Sequence, residues 1–327
     1  MKILIDGHMV GQNEGGNERY TKNLTFSLSK KASVGILLYK KIQLSYSLRH
    51  HVLPSNNLFR LFITPIILLF FHYDVLHTNY FLPFWKPLGT KYVITVHDLF
   101  FLRQPSRYSL RDRLVFRILL PYSLWLCDAI IVPSKFIKNE FALLYPHYLK
   151  KVYVTYEGVD PVFRRLKKKG KKKRLFLLTI ASKNTRKNID SICSAFLSAS
   201  LKNTYLYIVG SLPTETKLVQ DKSIRFLGYV DDHKLNELYN NAVALLYLSS
   251  YEGFGLPVIE ALACGTPVIA SDIPCLREIG GKNVRYIKPA KLVEELRKPH
   301  KHKVVSIPYT WKNTATRTLA VYQSLIK

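Results

Sequence analysis

Two glutamates, Glu252 and Glu260, stand with seven residues between them in the segment from Ser249 to Asp272, around Gly253 and Gly255. The glycines let the backbone turn through dihedrals closed to other residues and approach a ligand closely. Pro257 suits the first turn of a helix and Gly265 the position just past its end. The pattern therefore predicts a strand, a tight loop, a short helix and a second strand. At that helix start the amide groups of Phe254, Gly255 and Leu256 point outward and form a ready anion site. Glu252 precedes the helix and Glu260 lies about one turn inside it, so the two carboxylates line one pocket at different depths. Neither half of the chain carries a Walker A sequence or a G-x-G-x-x-G fingerprint.

This segment resembles the family 4 retaining glycosyltransferases of the GT-B fold, whose mark is E-G-F-G-L-P-x-x-E-A-x-A-x-G-x-P-V-I-A-S. The match runs from Glu252 through Ser271 to Glu278, Gly280 and Gly281. Bacterial mannosyltransferase-like members are the nearest in pattern. Other landmarks agree along most of the chain. The pair Gly15-Gly16 before Asn17-Glu18-Arg19-Tyr20 is similar to the family's glycine loop after the first strand. Asp74-Val75-Leu76-His77 and Val96-His97-Asp98-Leu99 are similar to two of its strands, and the resemblance takes His97, not His77, to the donor sugar. The turn Thr185-Arg186-Lys187-Asn188 is similar to the one that holds the donor diphosphate, where a lysine supplies a point charge and an arginine a fork. There the chain departs from the pattern: Ala181-Ser182 replaces an earlier Gly-Arg, leaving Arg186 or Lys183 to take that role. Ile208-Val209-Gly210 and Phe226-Leu227-Gly228 are similar to strands whose turns hold the nucleobase.

The resemblance implies transfer of a hexose, mannose favoured, from a nucleotide-diphosphate sugar to a hydroxyl of a glycan or lipid-linked acceptor, as in cell-surface polysaccharide biosynthesis. It implies retention at the anomeric carbon, no cofactor and no metal, and a GDP-linked donor ahead of a UDP-linked one. His97, Glu252 and Lys187 are the expected catalytic residues. Gly16, Arg186, Lys187, Phe254, Gly255, Leu256 and Glu260 are the expected donor-binding ones. Charge developing on the leaving diphosphate is met by Lys187, Arg186 and the amides near Gly255. Glu252 holds sugar hydroxyls, and Glu260 accepts from the ribose. A catalytically inactive scaffold of the same fold is the alternative, against which stand the intact Glu252, Glu260, Lys187 and His97.

The elements that must position these residues are short aliphatic runs alternating with helical stretches, the signature of parallel α/β sheets. Strands are expected at 2–5, 34–38, 75–77, 92–96, 129–132 and 151–154, then at 176–180, 205–209, 224–227, 244–248, 267–270 and 284–287. Near-continuous apolar runs mean strands covered on both faces, so two Rossmann-like, doubly wound domains facing a cleft are expected. Their bounds are 1–163 on the acceptor side and 175–308 on the nucleotide-sugar side, with a basic linker at 164–174 and a terminal helix at 309–327 crossing back. A flexible linker would let the cleft close and keep water from the donor.

With 327 residues, 48% hydrophobic and 22% charged, the chain has the size of two domains and ordinary globular cores. Its net charge of +27 is the unusual feature. Nine positive charges and no negative one fall in residues 164–174, and the flanking parts carry +10 and +8. A like-charged run stays solvated and reads either as a tether or as an attraction to an anionic surface. The apolar, aromatic stretch 58–71 and the five arginines between Arg103 and Arg117 suggest peripheral attachment to an anionic membrane through a basic amphipathic helix. The alternative is a core helix with solvated arginines. Nucleic-acid binding is disfavoured, since the basic residues are spread over both halves and no helix-turn-helix, RRM or zinc pattern appears. The cysteines Cys127, Cys193, Cys264 and Cys275 show no metal or redox spacing, and the first residues do not read as a signal peptide. A cytoplasmic protein, peripheral at the inner face of the membrane, is the resulting expectation.

Overall fold

The computed structural model describes residues 1–11, 15–39, 49–53, 59–167, 175–183, 185–212, 221–303 and 305–326. The chain divides into two compact units, Met1–Gly158 with Tyr309–Lys327, and Val159–Pro308.

The first unit holds a seven-stranded sheet of order β3-β2-β1-β4-β5-β6-β7. Its strands are β1 (Lys2–Asp6), β2 (Ser33–Leu38), β3 (Arg49–Val52), β4 (Val75–Asn79), β5 (Lys91–Thr95), β6 (Ala129–Val132) and β7 (Val152–Val154). Every pairing is parallel. β4 and β6 are buried along their whole length because helices cover both faces. The helices are α1 (Gly16–Ser29), α2 (Phe59–Phe71), α3 (Phe100–Arg103), α4 (Leu110–Leu126) and α5 (Lys135–Leu144).

The second unit holds a six-stranded sheet of order β10-β9-β8-β11-β12-β13. It comprises β8 (Leu175–Ala181), β9 (Thr204–Gly210), β10 (Ile224–Gly228), β11 (Leu245–Tyr247), β12 (Val268–Ser271) and β13 (Arg285–Ile287), again all parallel. Helices α6 (Ile189–Ala199), α7 (Asp232–Asn241), α8 (Leu256–Ala263), α9 (Pro274–Gly280) and α10 (Leu292–Leu296) surround it. Apolar clusters lie on its two faces, one around Tyr239, Tyr247 and Val258, the other around Ile192, Leu206 and Leu246. In α6 the buried residues Ile189, Ile192, Cys193, Phe196 and Ala199 follow the helical repeat.

The terminal helix α11 (Trp311–Ile326) belongs to the first unit, where Thr314 Oγ1 donates to the Tyr156 carbonyl at 2.7 Å and Tyr322 meets His77 at 2.5 Å. Where it re-enters, a Cβ on Gly158 would lie 2.2 Å from the Trp311 amide nitrogen, so only glycine fits.

Three features differ from the reading of the sequence alone. β3, of sequence Arg-His-His-Val, was not expected, because an edge strand of charged and ring residues lacks the apolar run that marks the others. The basic run does not begin at the unit boundary. The Arg164 and Leu166 amides donate to Asn236 and Asn240 of α7, which seats the start of the run on the second unit, five residues past Val159. Residues 168–174, the rest of the expected linker, lie outside the described residues. Finally, the arginines from Arg103 to Arg117 do not share one helix: a short 3-10 turn at Pro105–Arg107 separates α3 from α4, and Arg103 forms a two-point ion pair with Glu140 at 2.6 and 2.7 Å. Among the described residues no helix is long and apolar enough to cross a membrane.

Candidate active site

In the second sheet the strand order reverses between β8 and β11, and ligands of open α/β sheets bind beyond the strand ends at such a point. The segments that follow these two strands carry most of the expected residues. After β8 the chain makes a 3-10 turn at Thr185–Lys187, and after β11 it forms the loop 248–255 that feeds α8. The two segments are stitched through backbone groups. The Ser250 amide donates to the Arg186 carbonyl at 2.9 Å, and the Asn188 side-chain amide donates to the Leu248 carbonyl at 2.7 Å. Asn188 takes a left-handed φ of 51°, a conformation asparagine tolerates better than most residues.

This frame brings Lys187 and Glu252 together. Lys187 Nζ donates to Glu252 Oε1 at 2.5 Å and to the Tyr247 hydroxyl at 2.5 Å, with all three side chains buried. Tyr247 is in turn hydrogen-bonded to Glu252, so the three close a triangle. Burial alone would raise the Glu252 carboxyl, but Lys187 and Arg186, with hydrogen bonds from Lys187 and Ser249, outweigh it and hold it down to about 2. Burial and the neighbouring Glu252 push the Tyr247 phenol far above its ordinary range, so it stays protonated. A carboxylate kept ionised beside an ammonium group is suited to accept from hydroxyls while the ammonium attracts an anion.

Phe254, Gly255 and Leu256 are buried at the start of α8. Gly255 has φ 103°, and a Cβ there would lie 2.8 Å from Leu276 Cδ2, so the elbow needs glycine on two counts. The far end of α8 closes through the Gly265 amide to Leu262 and the Thr266 amide to Ala261, both at 2.9 Å, a Schellman arrangement with Gly265 at φ 75°. Glu260, nearly inaccessible within α8, accepts from the Tyr239 hydroxyl of α7 at 3.0 Å. Arg186 is half-buried next to Lys187, whereas Lys183 is exposed.

Gly16 and His97 belong to the first unit. Gly16 is the exposed first residue of α1, after Gly15 at φ 70°. His97 follows β5 and is buried, with Nδ1 3.0 Å from Glu157 Oε1 and Nε2 3.0 Å from Asn79 Oδ1. The Tyr20 ring meets it edge-on at 4.6 Å between centroids. A second chain of contacts runs beside it: Tyr20 to Thr95 at 2.8 Å, Thr95 to His77 at 2.7 Å, and His77 to Tyr322. Burial, together with His97, pushes the His77 imidazole down to about 3, so it is neutral and structural.

Sequence reasoning did not single out Tyr247, Tyr239, Asn79 or Tyr20. Each is an aromatic or amide group with many structural uses, and only the tertiary partner reveals what it holds. Nor did sequence reasoning single out Glu157 as the partner of His97. Among the described residues there is no cluster of three or more His, Cys, Asp or Glu placed to hold a metal ion.

Comparison with known proteins gives the same picture from outside. The chain is 32% identical over 213 residues to "O-antigen chain mannosyltransferase RfbU" of Salmonella typhimurium, covering 62% of this chain and 58% of that protein. It is 34% identical over 116 residues to "O-antigen chain mannosyltransferase B" of Escherichia coli, covering 31% and 30%. The matches thus span less than two thirds of these relatives' lengths. Among solved structures, sucrose-phosphate synthase from Thermosynechococcus elongatus superposes with a TM-score of 0.73 at 20% identity, over 100% of this chain and 95% of that one. The two parallel-sheet units are those of the GT-B fold. The model described as "Glycosyltransferase Family 4" matches residues 15–163 and the one described as "Glycosyl transferases group 1" matches residues 163–299. With its glutamate motif set on the second of these units, the chain belongs to the family 4, group 1 glycosyltransferases.

Proposed function

We propose that this protein is a retaining hexosyltransferase that moves mannose from a nucleotide-diphosphate donor to a hydroxyl of a glycan or lipid-linked acceptor in cell-surface polysaccharide synthesis. The observation that carries the reading is the buried Lys187–Glu252 pair at the elbow leading into α8. Mannose is supported by the names of the two O-antigen relatives.

On this reading the second unit binds the donor. Lys187 turns toward the diphosphate, aided by Arg186 and by the amides at Gly255 and Leu256, which supply positive potential where the leaving group gains charge. Glu252 accepts from hydroxyls of the transferred sugar, its ionised form secured before the donor arrives. Glu260, oriented by Tyr239, accepts from the ribose. Gly16 and His97 keep their expected roles at the diphosphate and the sugar, and Asn79 and Glu157 fix the orientation of the His97 ring. The reaction needs no metal, because these cationic and amide groups do the work of one. The guanine nucleotide is favoured over uridine, on the form of the Thr185-Arg186-Lys187-Asn188 turn.

A thermal-shift series with GDP, UDP and ADP tests this directly. A nucleotide at about 100 times its dissociation constant stabilises by about 2.7 kcal/mol, a shift of a few degrees. The expected result is a shift with GDP that Lys187→Met removes, followed by GDP release from GDP-mannose when acceptor is added. A shift with UDP alone would replace the donor. Silence with all three nucleotides would overturn the transferase reading.

A further inference from the structure

The first unit leaves two apolar helix faces uncovered. On α2 the residues Phe62, Ile66, Leu69, Phe70 and Phe71 are exposed, Phe70 at 76%. At 100° per residue the first four fall within an arc of about 100°, while Phe71, the last residue of the helix, lies outside it. On α4 the exposed apolar residues are Leu110, Leu114, Ile118 and Trp125, with Leu110 at 79% and Trp125 at 65%. These share an arc of about 80°. α2 is thus not the core helix that the composition of 58–71 also allowed. It is buried along one side, through Arg60, Leu61, Thr64, Pro65 and Leu68.

The two faces are joined. Pro65 has no amide hydrogen to offer the Leu61 carbonyl, and that carbonyl instead accepts from the Phe84 amide at 3.1 Å. The Phe84 ring then lies tilted against Phe62 at 4.6 Å and against Tyr122 at 6.4 Å between centroids, while the Tyr122 hydroxyl donates to the Phe84 carbonyl. Tyr122 leads on to Trp125 at 6.0 Å. A single apolar surface thus runs from α2 over Phe84 to α4.

Its charged border has one sign. On the α4 wheel Arg111 and Arg117 flank the apolar arc, about 20° beyond either edge. Both are exposed, and neither forms an ion pair among the described residues. The acidic residue of that helix, Asp112, sits on the far side, within the Ser109 cap. Neither exposed arc carries an acidic residue.

From this arrangement we infer that the α2–α4 face docks onto an anionic lipid bilayer. Aliphatic and aromatic side chains enter the acyl boundary, Trp125 sits at the headgroup level, and Arg111 and Arg117 reach lipid phosphates. A second copy of the chain fits this face poorly, since a two-fold contact would set the arginine borders against each other. The inference is independent of the transferase reading.

Co-sedimentation of the full chain with vesicles of phosphatidylcholine, with and without phosphatidylglycerol, tests it. The wild type is expected to pellet with anionic vesicles and to be released in part by salt. Arg111→Gln with Arg117→Gln should lower partitioning on the order of tenfold. Leu114→Glu with Ile118→Glu should abolish it, and Phe70→Glu on α2 gives an independent lesion should the α4 variants fold poorly. The nucleotide-induced melting shift, read in the same preparations, should be unchanged, which separates a failure here from a failure of the donor site. The proposal is overturned if the wild type stays out of anionic vesicles or if the variants bind like the wild type. It is also overturned if the face instead mediates a concentration-dependent dimer that Leu114→Glu with Ile118→Glu dissolves.

Discussion

Lys187 Nζ and Glu252 Oε1 lie 2.5 Å apart inside the second unit, contributed by segments 65 residues apart in sequence. Both side chains are buried, so neither charge can be removed without leaving the other exposed to a low dielectric. Truncating one partner of such a pair costs about 3–5 kcal/mol. Lys187→Met should therefore lower the melting temperature and also abolish nucleotide binding. Glu252→Gln, which keeps the shape and removes the charge, should retain nucleotide binding while transfer falls. Urea titration beside a donor-turnover assay separates the two effects.

The pH dependence of that pair has a defined sign. The folded Glu252 carboxyl is held near 2, against an ordinary value of 4.5. Its contribution is complete above about 4.5 and is lost as pH falls toward 2. In urea melts across this window the stability gap between wild type and Glu252→Gln should narrow steadily with acid. A constant gap would mean that Glu252 is not depressed in the folded state.

His77 gives a second window. Burial lowers its imidazole to about 3 from 6.5, so protonation favours the unfolded chain. Stability linked to His77 is present above about 6.5 and declines as pH falls from there toward 3. The His77 ring resonances should show no titration near neutral pH in NMR. Tyr322→Phe removes the hydroxyl from His77 Nδ1 and should cost about 1–3 kcal/mol, detected as a lower urea midpoint, because a buried nitrogen loses its partner.

At Gly255 two constraints coincide, a φ of 103° and a Cβ position 2.8 Å from Leu276 Cδ2. Gly255→Ala should destabilise by about 1–3 kcal/mol and weaken nucleotide binding. Calorimetric titration with nucleotide reads the binding loss. Gly15→Ala, with φ 70° but open space around its Cβ, should cost only the backbone strain.

Much of the molecule follows from local order in the sequence. Aliphatic runs of four to seven residues become parallel strands because each must be covered on both faces, and this is visible one segment at a time in β6, β8 and β12. Pro257, Gly255 and Gly265 mark the start, the elbow and the end of α8, since their constraints are properties of single residues. Tertiary structure alone decided the rest. The partners of Lys187 and His97 come from distant segments, and no local rule selects Tyr247 over another strand tyrosine. β3 lacked a pattern because it sits at a sheet edge. The arginines of 103–117 were legible as charge, but which of them is tied down and which borders an open apolar face depends on α5 supplying Glu140 and on the turn that separates α3 from α4. Spacing along the chain fixes what a segment can become, while the energy of a buried charge or an exposed face depends on what packs against it.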